Sequence, residues 1–158
     1  PNLEAALCFD SYVYGKLIRF PNNEAIFGKQ QIYNEQDQVC GTEPNLLINA
    51  TEISFDGLWE LVRSYGGVMF PAHVDKTANS LIANLGFIPT DSRFRTAEVK
   101  DLKKLHQLQK DNPYLDKCRI ISNSDAHYLE HMNEPELTLQ VEEKTVQGII
   151  DALLDGAG

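Results

Sequence analysis

The chain carries four histidines, His73, His106, His127 and His131, and two of them stand just past short apolar runs that read as buried strands. Val68-Met69-Phe70 leads through Pro71-Ala72 to His73, and Arg119-Ile120-Ile121 leads through Ser122-Asn123-Ser124 to Asp125-Ala126-His127. Imidazole and carboxylate together suit zinc, manganese or iron, whereas magnesium prefers an all-oxygen shell. If the segment stays extended, Asp125 and His127 point to the same side. Read alone, Asp-x-His is a weak signal and fits better a turn capped by Asp125 with His127 as an ordinary loop residue; His73 at a second strand end brings the metal-site reading level with it. Lys76, shortly after His73, is a candidate contact for a phosphate group by its charge and place. His131 follows His127 by four positions, so it either shares a helical face with it and touches substrate, or is a solvated loop residue. Glu98 ends another extended run and is either a support for the site or a part-buried, paired carboxylate. His106 lies mid-helix and reads as a surface residue.

These residues need elements to hold them. Residues 3–16 read as a helix, Pro21-Asn22-Asn23 breaks it, and the runs at 30–33 and 38–40 suggest a small hairpin. Ser54 is placed to cap a helix in which Phe55, Leu58, Leu61, Val62 and Tyr65 recur at helical spacing, with Gly66-Gly67 ending it. Beyond the strand at 68–70 the pattern predicts a helix over 77–85, a strand over 94–99, a helix over 101–110, a strand over 119–122 and an extended run over 137–141. The last helix is the clearest, with Val146, Ile149, Ile150, Leu153 and Leu154 in one stripe. From Ser54 onward helices and strands alternate, which argues for a largely parallel sheet covered by helices, whether barrel or open. In such folds function collects at the carboxyl ends of strands. Residues 1–53 do not follow the alternation and read as an insertion or cap, leaving 54–158 as the main body.

The composition narrows the classes. The 158 residues are 42% hydrophobic and 23% charged, ordinary globular usage, with enough apolar material for a core. The formal net charge of −9 disfavours non-specific nucleic-acid binding, which needs a basic surface. It is compatible with a small phosphorylated substrate whose charge is met locally by a metal. No apolar run is long enough for a spanning helix, so no membrane partner is expected. Cys8, Cys40 and Cys118 are odd in number and far apart, as for free thiols in a reducing compartment, which places the chain in the cytoplasm. No phosphate-loop, dinucleotide or serine-hydrolase glycine motif is present.

Phe70-Pro71-Ala72-His73 and Ser122-Asn123-Ser124-Asp125-Ala126-His127 resemble two motifs of the PHP (polymerase and histidinol phosphatase) family. The likeness to its stand-alone bacterial members takes in Pro71-Ala72-His73-Val74-Asp75, the run from Ser80-Leu81-Ile82 to Phe87-Ile88-Pro89, and Ser124-Asp125-Ala126-His127-Tyr128-Leu129. It extends to Glu24-Ala25-Ile26-Phe27-Gly28 and Asn45-Leu46-Leu47-Ile48-Asn49-Ala50. The resemblance implies a distorted seven-stranded β/α barrel with a cluster of divalent metals (Zn, Mn or Fe) at its C-terminal face. It assigns His73, Asp125 and His127 as ligands and implies hydrolysis of phosphoesters by a metal-activated water. The family's first motif, a His-x-His, is absent, since no two histidines are separated by one residue. The expectation is therefore a partial PHP-type barrel with a helix-plus-hairpin insertion near its N-terminus. This chain would be the C-terminal portion of a phosphoesterase, weak or inactive alone. The other reading is a non-catalytic binding or assembly module, self-associating through open sheet edges.

Overall fold

The computed structural model describes residues 1–135 and 137–156. Helix α1 (Leu3–Gly15) starts where Asn2 accepts the Ala5 N–H, and a short α2 (Glu24–Phe27) is capped in the same way by Asn23. The hairpin follows as β1 (Gln31–Tyr33) and β2 (Val39–Thr42), antiparallel, with Asn34 holding the turn through bonds to the Gln36 and Gln38 N–H groups. Helix α3 (Phe55–Ser64) is capped by Ser54, which accepts from Gly57. Its apolar stripe is divided between two neighbours. Phe55 and Trp59 pack on the core, while Leu58, Val62 and Tyr65 face a groove shared with Ala5 and Phe9 of α1. The Phe9 and Tyr65 rings meet edge to face at 5.6 Å.

The second half is built on one parallel pair. β3 (Thr96–Glu98) and β4 (Arg119–Ile121) align Thr96 with Arg119 and Glu98 with Ile121. Between them run a single 3-10 turn at Leu102–Lys104, α5 (Leu105–Asp111) and a 3-10 turn at Pro113–Lys117, a βαβ arrangement. Phe94, Ala97, Val99, Leu115 and Val74 are almost wholly buried around this pair, with Leu102, Leu105 and Leu108 closing over it. The Tyr114 hydroxyl donates to the Phe94 carbonyl at 2.8 Å and lies against that of Ser92, so a phenol inside the core has partners. Helix α4 (Leu81–Leu85) sits before Ile88, and α6 (Val146–Asp155) docks behind the strands. The α6 docking answers a general need of helix ends. The carbonyls of its last turn have no intrahelical donor, and those of Ala152 and Leu153 receive the Arg119 Nε at 3.0 Å and the Thr96 hydroxyl at 2.6 Å.

The expected partial (β/α)7 barrel is not the architecture. The described residues form a small α/β fold of six helices and two two-stranded sheets, and among them no barrel closes. The physical reason lies in the runs expected to supply strands. Val68-Met69-Phe70 forms no strand and is only half-buried, and it runs straight into Pro71, which has no N–H to give to a ladder. Residues 137–141 pair with nothing among the described residues, and Leu137 stays exposed. The helix expected over 77–85 is confined to its last turn, because Asn79 takes a left-handed φ of 55° and Ser80 caps only from there.

Candidate functional site

The 71–74 segment, although not a strand, is tied to β3. Glu98 donates its N–H to the Pro71 carbonyl at 3.0 Å and accepts from the Val74 N–H at 2.9 Å. A regular parallel ladder reaches residues two apart on the neighbour; here they are three apart, so one residue is extra, as in a bulge. His73 is in that interval with φ at 30°. On the far side of β3, β4 ends at Ile121 and the chain reaches Asp125, which has φ at 49°. Both candidate ligands thus sit in a backbone region that side-chain-bearing residues enter rarely, each just beyond the same small sheet.

The side chains meet across that gap. The Lys76 Nζ lies 2.6 Å from Asp125 Oδ2, a contact between positions 49 apart in sequence. His127 Nε2 is 3.9 Å from Asp125 Oδ1, with its ring mostly exposed. His73 carries a buried Nδ1 with no hydrogen-bond partner. The hydrogen bond from Lys76 holds the Asp125 carboxyl below the usual carboxylate range. Burial works the other way, and the nearby Lys76, His73 and His127 add to the lowering. The Asp-x-His pair is therefore close, but not by the expected route, since Asp125 is left-handed rather than extended.

The loop that delivers Lys76 is pinned at both backbone ends. Its N–H donates to the His73 carbonyl at 3.0 Å, and its carbonyl accepts the Ser80 hydroxyl at 2.7 Å. Ser80 is 3% exposed and also accepts the Ala83 N–H, so one hydroxyl caps α4 and anchors the lysine. Asp75 fastens the same loop to the end of β3, accepting the Lys100 and Asp101 N–H groups at 2.8 and 2.9 Å. Burial pushes the Asp75 carboxyl up, but these donors outweigh it and the carboxyl ends below its ordinary value. Ser80 and Asp75 escaped the sequence reading as positioning residues; a serine immediately before a helical run was the available signal for the first.

The remaining candidates fall outside this cluster. His131 lies in a 3-10 turn, Leu129–His131, with its ring edge-on to Tyr128 at 5.3 Å, and it has no helical face in common with His127. Glu98 is 8% exposed, and its backbone N–H and carbonyl tie the 71–74 segment to β3. His106 is exposed on α5. A polar groove of about 270 Å³ is lined by Ser122, Asn123 and Ser124, which precede Asp125 in the chain, together with Asn133 and Glu134.

A divalent ion suits these donors in kind. His73 Nδ1 is a buried nitrogen without a partner, and Asp125 and His127 supply the carboxylate and second imidazole such ions accept. They do not close into a cage: among the described residues no group of three or more His, Cys, Asp and Glu side chains is arranged to hold a metal. No helix of the described residues is long and apolar enough to cross a membrane. The chain matches no family model, no curated protein and no solved structure.

Proposed function

We propose that this chain is the C-terminal part of a metal-dependent phosphoesterase of the PHP type, with His73, Asp125 and His127 as its share of the metal ligands. The observation that carries this reading is the meeting of the two motif segments: Lys76, three residues after His73, pairs with Asp125 at 2.6 Å although 49 positions separate them. A strained backbone at both His73 and Asp125 supports it, because such conformations collect where a side chain must be aimed. A bound divalent ion supplies Lewis acidity, a more acidic water and neutralisation of phosphoryl oxygens. The chain's own contribution is positional. The bulge falls at His73, Asp125 Oδ1 lies 3.9 Å from the His127 Nε2, and Asn123 and Ser124 line a polar groove for a small phosphorylated substrate.

Three ligands are too few for a two-metal clamp, so catalysis by this chain is expected to be slow. Turnover of an aryl phosphate should require added zinc, manganese or iron and vanish in Asp125→Ala. Turnover that survives both chelation and Asp125→Ala contradicts the proposal.

A second reading, a non-catalytic assembly module, is favoured by one observation. Within residues 1–53 only Leu46 is buried, while Leu3, Phe20, Ile26 and Ile48 are all more than 60% exposed. A strictly monomeric species at high concentration would count against that module.

A further inference from the structure

A cavity of about 220 Å³, sharing no lining residue with the His73–Asp125 cluster, is bounded by α3, Met69 and the segment that leads into β3. Phe55 and Trp59 line it and pack on the core to which the wholly buried Phe94 belongs; with Met69 they give the cavity an apolar side. Asp56 and Asp91 add two carboxylates on exposed residues, and neither stands in an ion pair among the described residues. Arg93, the cation of the lining, is already paired with Glu60. The lining therefore keeps two negative charges uncompensated.

Ser92 adds an independent signal. Its N–H donates to the Pro89 carbonyl at 3.1 Å, and its own carbonyl takes the Tyr114 hydroxyl, so its backbone is held on both sides. Its hydroxyl oxygen is nonetheless buried and has no hydrogen-bond partner among the described residues. Buried polar groups in native proteins are nearly always paired, so an orphan needs a reason. A serine hydroxyl turns about a single bond and accepts from an N–H group. A donor carried in by a ligand would supply the missing partner.

We propose that this cavity binds a small organic cation, an alkylammonium whose charge is met by Asp56 and Asp91, with an N–H group left for the Ser92 hydroxyl. Its hydrocarbon stem lies along the apolar side made by Phe55, Trp59 and Met69. Pockets for drug-sized molecules start at about 300 Å³, so this smaller one suits a short amine. Two free carboxylates disfavour an anionic ligand, and aromatic side chains add attraction for a cation. A free amine and the lysine side chain of a peptide share this chemistry. The site needs nothing from the metal-ligand reading and stands or falls apart from it.

Trp59 is the single tryptophan of the chain, so its fluorescence reports on the cavity directly. The test titrates n-butylamine into the native chain, beside n-butanol and butyrate as neutral and anionic molecules of the same length. Butylamine should give a saturable change and bind about tenfold more tightly than butanol, with no saturation by butyrate. The Asp56→Asn, Asp91→Asn double variant, checked for folding by circular dichroism, should bind butylamine and butanol alike. Ser92→Ala should weaken butylamine binding severalfold and leave butanol binding unchanged. Nα-Acetyl-lysine methylamide separates the two sources: binding as tight as butylamine assigns the site to a lysine side chain, and its exclusion assigns the site to free amines. Equal binding of butanol and butylamine by the native chain reduces the cavity to an apolar crevice and overturns the proposal. A preference for butyrate, a preference for the amine that survives the double variant, or no saturation by any of these molecules overturns it as well.

Discussion

Burial divides the cysteines sharply, and their chemistry should follow. Cys8 and Cys40 are exposed, whereas Cys118 is 3% exposed, and burial pushes its thiol up from an ordinary 9.0 to about 11, despite the opposing charges of Lys117 and Arg95. In the folded protein two thiols should react readily with a disulfide reagent at neutral pH, and the third only on unfolding. Three fast-reacting thiols in native buffer would contradict the packing of Cys118. The folded state keeps this proton longer than the unfolded chain, so its contribution to stability is whole below pH ~9 and declines as the pH rises toward 11. At the same scale, what the sequence showed was a pattern of imidazole and carboxylate after two apolar runs, of which only Arg119–Ile121 forms a strand. The φ of 30° at His73 and the Lys76–Asp125 pair were not legible, since both depend on where the third dimension brings the segments.

Helix α6 shows an element that periodicity finds and whose entry it does not. The stripe of Ile150 and its neighbours identified the helix, and Thr145 caps it by accepting the Gly148 N–H at 3.0 Å. At Gly148, a Cβ would meet the Glu143 carbonyl oxygen at 2.1 Å, an approach that backbone atoms cannot yield cheaply. Alanine within a helix ordinarily gains about 1 kcal/mol over glycine. Here Gly148→Ala should instead lower the urea midpoint, by an amount equivalent to about 1–3 kcal/mol. A raised midpoint would show that the turn at 143–145 relaxes freely. The same limit of local patterning explains the strand expected at 68–70: three apolar residues look like a buried strand, but a strand needs a ladder, and Pro71 interrupts it. α3 and the hairpin were readable because their signals, a serine cap and a polar turn between extended runs, are local.

Across the whole molecule, one parallel pair and its helices form the buried centre, while the first 53 residues leave most of their apolar side chains in solvent. Alternation of helices and strands indicated an α/β chain, yet it could not count how many strands would pair, and a partial barrel was expected where, among the described residues from Ser54 onward, only β3 and β4 join. Closure is a property of the full set of strands, and no single segment carries it. The proposed site depends on this small centre, since β3, β4 and the 71–76 loop bring Lys76 against Asp125. Its most direct test is elemental analysis of the purified chain beside a His73→Ala, Asp125→Ala double variant, with matched circular dichroism. The expected result is zinc, manganese or iron in near-stoichiometric amount in the native chain and its loss in the folded double variant. Equal metal content in the two proteins, or none in either after incubation with these ions, would contradict the assignment of His73 and Asp125 as ligands.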